Sequence, residues 1–223
     1  MPLKVIPRRD RLLNRYIKRG EIRVLERGET LFEPGDQAGT LFLVRSGHLQ
    51  LTINHGKPEE RAVAVVGPWE MTGEEGLFPG VRRRTGARAG EDSQVVVLDG
   101  EGVNRALRTA SRTYGAFLTA KEEELALARS FMEPRRAGGT ARHLADLLIH
   151  LSRRLGRPDE RGGTRIPLRL THQVLADLSG CHRSTVTTLL NDWIYQDILV
   201  QDDGQIRILR PQALTPEEGD GEG

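Results

Sequence analysis

The sequence predicts an α+β protein: an antiparallel β-roll, a long helix, and a compact helical unit closed by a β-hairpin. Three observations carry that reading. From Ile22 to Leu98 short apolar runs recur about every eight to twelve residues, with turn residues between them. From Ser111 to Met132 the breakers stop and the apolar side chains take helical spacing. From Leu170 to Ile194 two short helical patterns meet at Gly180, and a strand-turn-strand pattern follows.

With 223 residues the chain has room for two modest domains, each with its own core. Charged residues make up 29% and apolar ones 37%, ordinary values for a globular protein. No apolar run reaches the length of a bilayer and no basic-then-apolar leader opens the chain, which predicts a cytoplasmic protein without a membrane partner. The single cysteine, Cys181, rules out an intramolecular disulfide and any cysteine cage for zinc or iron–sulfur, so no metal site is expected. The net charge of +2 conceals a split, because the tail from Ala213 holds four acids and no base. Of the 33 cations 29 are arginine, the residue that suits phosphate and guanine contacts.

Residues 1–20 carry seven bases and one acid around Leu12, Leu13 and Ile17, the pattern of a short amphipathic helix. The strand candidates are Ile22–Leu25, Thr30–Phe32, Thr40–Val44, His48–Ile53, Arg61–Val66 and Gln94–Leu98. Leu49-Gln50-Leu51-Thr52-Ile53 alternates as a half-buried strand requires. A roll or barrel over 1–110 fits, and so does a β-sandwich of unrelated purpose. Residues 111–137 form a long helix and hinge. Positions 114, 118, 121, 125, 128 and 132 make a heptad seam broken at Lys121, a dimer contact in expectation. Pro134 ends it.

Residues 138–212 form the third part. Thr140 can cap a helix striped by Leu144, Leu147, Leu148, Leu151 and Leu155, followed by a polar loop, 156–164, and a strand at Arg165–Leu168. Thr171 can cap the next helix, and Gly180 supplies the sharp turn. In the helix at about 182–194, Val186, Leu189, Leu190 and Trp193 share a buried stripe. The opposite side carries Arg183, Ser184, Thr187 and Thr188 and no acid, a face made for an electronegative groove. That is a helix-turn-helix, with double-stranded DNA as its partner. Two packed helices in an ordinary core explain the stripe equally well, but not this polar face. Ile198-Leu199-Val200, a turn at Asp202-Asp203-Gly204 and Ile206-Arg207-Ile208 complete a hairpin, so the domain is winged. Residues 213–223 read as a disordered acidic tail.

From Ile22 to Leu209 this order resembles the cyclic-AMP-receptor/fumarate-nitrate-regulator superfamily of bacterial transcription factors. Two strings carry the resemblance: Gly180-Cys181-x-Arg183-x-Thr185-Val186, and Gly73-Glu74-Glu75-Gly76-Leu77-Phe78 with Arg84-Thr85 downstream. It implies a cyclic-nucleotide-binding-like jelly roll and a homodimer on a palindromic operator, with half-sites about 34 Å apart. Arg183 is then expected on a guanine edge. Ser184 and Thr188 stand where the cyclic-AMP receptor has a glutamate and an arginine, and Thr171, His172 and Gln173 lie near phosphates. The loop 156–164 is where family members touch RNA polymerase, which fits an activator; repression by occlusion fits equally.

The second string resembles the family's phosphate-binding cassette. Gly73, Glu74, Arg84 and Thr85, with Ser130 from the long helix, are therefore the expected effector residues, and cyclic AMP is a candidate. The DNA-binding half is similar to the global nitrogen-control regulators, compare Leu170-Thr171-His172-Gln173 with their Leu-Ser-His-Gln, and this makes 2-oxoglutarate another candidate, a dicarboxylate that the arginines at 82–84 would suit. The cassette departs from the family at Glu75, where an aliphatic residue is usual, at Trp69-Glu70-Met71 in place of Gly-Asp-Phe, and at Gly86 in place of Ala. Leu127-Ala128 replaces the Thr-Ser pair that meets adenine in the cyclic-AMP receptor. A regulator without effector, controlled by its abundance, and a nucleotide-binding module acting on a protein remain alternatives. An enzyme does not fit, because Glu74, Glu75 and Arg84 lack a nucleophile–base pair or metal-ligand spacing.

Overall fold

The computed structural model describes residues 17–109 and 139–214, with positions 115, 118, 119, 122 and 125 between them. Most of the 1–20 helix, most of the 111–137 segment including Ser130, and the tail from 215 lie outside the described residues. Two compact units are present, within residues 3–128 and within 129–223.

The first unit is two four-stranded antiparallel sheets. One has the order β1 (Glu21–Leu25), β8 (Ser93–Asp99), β3 (Thr40–Ser46), β6 (Met71–Thr72); the other has β2 (Thr30–Phe32), β7 (Gly86–Ala89), β4 (Leu49–Ile53), β5 (Arg61–Val66). Strand alternation explains how they stack. Phe42 and Val44 of β3 point between the sheets and pack with Leu25, Phe32, Leu49, Val66 and Ala87. Leu41 and Leu43 point the other way and pack with Val96, Leu98, Val103 and Leu107. The unbroken run Leu41-Phe42-Leu43-Val44 is thus a strand covered on both faces. The last two partners of Leu41 and Leu43 lie on α1 (Gly100–Thr109), a helix absent from the sequence reading. Its start is fixed by Asp99, whose carboxylate accepts the Gly102 N–H at 2.7 Å. Ile17 packs against the same cluster.

The six expected strands are all present, and β6 and β7 are additional. Trp69, where the family usually has glycine, keeps a left-handed backbone (φ 71) in a turn closed by Glu70 N–H to Gly67 C=O at 3.1 Å.

The second unit packs α2 (Gly139–Leu155) through Leu144, Leu147, Leu148, Leu151 and Leu155, the expected stripe. Next come β9 (Arg157–Pro158), β10 (Thr164–Ile166), α3 (His172–Ser179), α4 (Arg183–Tyr195), β11 (Leu199–Asp202), β12 (Gln205–Ile208) and α5 (Pro211–Leu214). The second unit's sheet has the order β11-β12-β10-β9. Asp203 (φ 50) and Gly204 (φ 74) both take the left-handed region that a two-residue hairpin turn demands. Two boundaries differ from expectation. The polar loop 156–164 contains β9 and folds as a hairpin with β10. Ala213 and Leu214, read as tail, belong to α5, where Leu214 is buried.

Candidate nucleic-acid interface and anion cassette

Thr171 caps α3, its hydroxyl accepting the Val174 N–H at 3.2 Å. Gly180 closes α3 with φ 66. A Cβ at Gly180 would meet nothing within 4 Å, so only the backbone conformation demands glycine there. Gly180→Ala is therefore expected to cost about 1–2 kcal/mol, the left-handed penalty alone, read as a lower urea midpoint. Asn at that position costs less, because its side chain tolerates this region.

The turn returns the chain into α4 through His182, extended at the N-cap. Val186, Leu190 and Trp193 are buried, and Leu189 is only half-buried. Arg183, Ser184 and Thr188 are exposed and Thr187 half-buried, with no acid in the first turn. Both threonine hydroxyls fold back onto the helix: Thr187 donates to Arg183 C=O at 3.0 Å and Thr188 to Ser184 C=O at 3.2 Å. Gln173 is exposed and bonds Asp177 at 2.8 Å. His172 is turned inward, its Nδ1 2.8 Å from Thr187 Oγ1 and its Nε2 3.4 Å from Gln201 Oε1. The Cys181 Sγ lies 3.6 Å from the carbonyls of Thr140 and Ser179.

The wing sheet sets Arg157, Arg165 and Arg207 directly opposite one another on β9, β10 and β12. Asp159 holds this region together, at 2.5 Å from Arg165, 3.5 Å from Arg161 and 3.9 Å from Arg207. The Arg165 hydrogen bond, then the Arg161 backbone N–H, pull its carboxyl down to about 2 from 3.8. A depressed carboxylate contributes stability above the unfolded value and loses it as pH falls toward the folded one. The Asp159 share of winged-domain stability should therefore be full above about pH 4 and vanish toward pH 2. Denaturant midpoints across that window will show a steep acid loss in the native chain and a shallower one in Asp159→Asn.

In the roll, the turn Glu74–Leu77 begins at Gly73 with φ 82. A Cβ on Gly73 would stand 2.7 Å from Arg83 Nη1 and 3.2 Å from the Phe42 ring, so both conformation and space exclude a side chain. Arg83 is buried, and donates to Gly73 C=O at 2.9 Å and to Thr40 C=O at 2.6 Å. Its guanidinium lies 4.5 Å from the Phe32 ring centroid and 5.4 Å from that of Phe42. Burial lowers its pKa, and Glu75, paired at 3.5 Å, opposes that. The other oxygen of Glu75 accepts the Arg84 N–H at 3.5 Å. The three adjacent arginines thus separate: Arg82 is exposed and bonds Gly35 C=O at 2.7 Å, Arg83 is internal, and Arg84 is exposed. Glu74 and Thr85 are half-buried. The structure brings Gly73, Glu74, Arg84 and Thr85 into one neighbourhood with a carboxylate already in it. Ser130 lies outside the described residues. Among the described residues no group of three or more His, Cys, Asp and Glu is arranged to hold a metal ion, and no helix is long and apolar enough to cross a membrane.

The arginines at 82–84, expected together as partners for a dicarboxylate, do not act together, because Arg83 is buried; its pairing with Glu75 and the contact of Gln201 with His172 were not foreseen. The only advance signal was Glu75 itself, an acid where the resembled family is aliphatic.

Two family models match the chain: the cyclic nucleotide-binding domain over residues 22–110 and the Crp-like helix-turn-helix domain over residues 142–216. The chain is 28% identical over 197 residues to the global nitrogen regulator of Synechococcus elongatus, covering 87% of this chain and 88% of that one. It is 27% identical over 198 residues to the cyclic AMP receptor protein of Thermus thermophilus, covering 87% and 86%. The solved structure of FixK2 from Bradyrhizobium japonicum shares the fold, with a TM-score of 0.71 at 19% identity over 87% of this chain and 95% of that one. With its roll matched by the one model and its helix-turn-helix by the other, the chain belongs to the CRP/FNR superfamily of DNA-binding transcription regulators.

Proposed function

We propose that the protein acts in the cytoplasm as a homodimer on a palindromic operator, with α4 of each subunit in successive major grooves. The observation that carries this is the face of α4: Arg183, Ser184 and Thr188 exposed and free of acid, with Val186, Leu190 and Trp193 anchoring the other side. Arg183 leads the helix into the groove and pairs a guanine edge; Ser184, Thr187 and Thr188 pack beside it. Thr171 and Gln173, exposed at the start of α3, lie against phosphates. Pairing of subunits is supported by Leu118 and Leu125, both helical, seven apart and each 49% exposed in the single chain. The β9–β10 hairpin, held by Asp159, offers RNA polymerase a fixed surface, as expected of an activator.

For the roll, one reading places a small anion, cyclic AMP or 2-oxoglutarate, at Gly73, Glu74, Arg84 and Thr85, with Ser130. The Glu75 carboxylate favours a second reading. One of its oxygens already takes the Arg84 N–H and the other pairs with Arg83, so the donor and the buried cation that an incoming anion would need are engaged by the chain's own carboxylate. On that reading the regulator binds DNA without an anionic effector.

Selection of bound duplexes from a random pool, with no ligand, with cyclic AMP and with 2-oxoglutarate, tests both. A palindromic site enriched equally in all three arms supports the second reading, and enrichment in one ligand arm alone supports the first. No enrichment in any arm, or a monomeric protein, overturns the proposal.

A further inference from the structure

Arg169 stands between Leu168 and Leu170, both buried, and its own side chain is exposed just ahead of the Thr171 cap of α3. The wing turn is fastened at the same place. Leu170 N–H donates to Gly204 C=O at 3.1 Å, and a Cβ on Gly204 would meet Arg169 Cβ and Cγ at 3.7 Å, so the turn lies along the arginine's stem. From that turn Asp203, 34 residues away, accepts a hydrogen bond from Arg169 Nη2. Its left-handed backbone (φ 50) does not call for a carboxylate, because Asn-Gly meets the same demand without charge. Nor does stability: the side chains are 53% and 73% exposed, so water and salt reach the pair and it adds little. A negative charge here needs another reason, on a domain that binds a polyanion.

We propose that Arg169 is a further DNA contact, a phosphate-binding residue that Asp203 holds in the unbound chain and releases to the duplex. The inference rests on the reading of α4 as the groove helix, which sets the start of α3 against phosphates. A guanidinium presents the same fork of donors to a carboxylate and to a phosphate, so the two compete for it. Binding exchanges the Asp203 carboxylate for a phosphate oxygen. Phosphates carry no sequence information, so the exchange sets how tightly the domain holds any duplex and not which one it prefers. A second pair on the wing supplies the comparison. Asp202 accepts from Arg161 at 3.0 Å, and Arg161 lies on the turn between β9 and β10, not beside the α3 cap.

The test is affinity of the full chain for its selected operator and for a random duplex of equal length, by fluorescence anisotropy at fixed pH, between about 50 and 200 mM salt. Arg169→Met is expected to weaken both duplexes alike, by about fivefold per subunit, and to lower the salt slope by about 1 per subunit. Arg169→Lys keeps the slope, since an ammonium also meets a phosphate. Asp203→Asn tightens both duplexes, by up to about fivefold per subunit, and loses that gain when Arg169→Met is added. Asp202→Asn, which removes the same charge one residue away, gains less. Should Arg169→Met fail to fold, the comparison of Asp203→Asn with Asp202→Asn carries the test. Unchanged affinity and slope in Arg169→Met overturn the proposal. So does an equal gain from the two aspartate changes, or an Asp203→Asn gain that persists undiminished beside Arg169→Met, which marks plain repulsion without competition. A native chain that binds no duplex brings down the operator reading as well, whereas selective binding indifferent to residues 169 and 203 overturns the exchange alone.

Discussion

Arg183→Ala will weaken binding to the selected operator by about 1–3 kcal/mol per half-site, roughly 5- to 150-fold. It will also erase the preference for guanine at one position of each half-site. The reason lies in what each side chain on the α4 face can still offer. Thr187 and Thr188 donate their hydroxyls to their own helix, so their methyl groups, which suit thymine methyls, become their main offering to the groove. Arg183 stands in the first turn, where a recognition helix meets base edges, and is exposed. Its fork of donors matches the two acceptors of a guanine edge. Arg183→Lys therefore restores much of the affinity through charge but little of the discrimination, because an ammonium lacks the planar pair of donors. Titrating native and variant proteins against duplexes changed one base pair at a time separates the two effects. If every single-base penalty in Arg183→Ala equals that of the native protein, Arg183 touches phosphate and reads no base.

Local chemistry made most of this legible beforehand. Strand β4 announced itself by alternation, α2 by its leucine stripe, the turn by Gly180 and the wing by Asp203-Gly204, each a short-range pattern that sets its own geometry. Elements that depend on distant partners stayed hidden. Strand β7 reads Gly-Ala-Arg-Ala, with no β-branched residue, and is a strand because it lies between β2 and β4. Helix α1 begins Gly-Glu-Gly, a poor helical start, and is held by the Asp99 cap and by burial of Val103 and Leu107 against β3. The same division runs through the sites. The α4 face was readable because one helix presents it. The inward turn of His172 depends on Gln201, 29 residues away, and the burial of Arg83 depends on Thr40, 43 residues away. Among three adjacent arginines, no sequence pattern marks the middle one as internal.

Arg83 is accordingly where a conservative change will cost the roll most. Arg83→Met keeps the side chain's length and apolar contact with Phe32 and Phe42 but withdraws the donors to Gly73 and Thr40 and the counter-ion of Glu75. Removing one partner of a buried pair costs about 3–5 kcal/mol, because the other charge is left without compensation. Glu75 keeps some contact with water, which places the expected loss near the lower end, about 3 kcal/mol, read from the urea midpoint of the full chain. Glu75→Leu alone also destabilises, since it leaves the guanidinium without the acid that opposes its desolvation. The double variant should then lose less than the two single losses combined, with a coupling of about 1–3 kcal/mol. Strict additivity would mean that the 3.5 Å pair does not hold the turn, and that the carbonyl bonds of Arg83 do so by themselves. Strong coupling would mean that Glu75 is kept in place by Arg83 and fills the cassette with the chain's own negative charge, which is why the aliphatic residue usual in the family would not be a neutral replacement here.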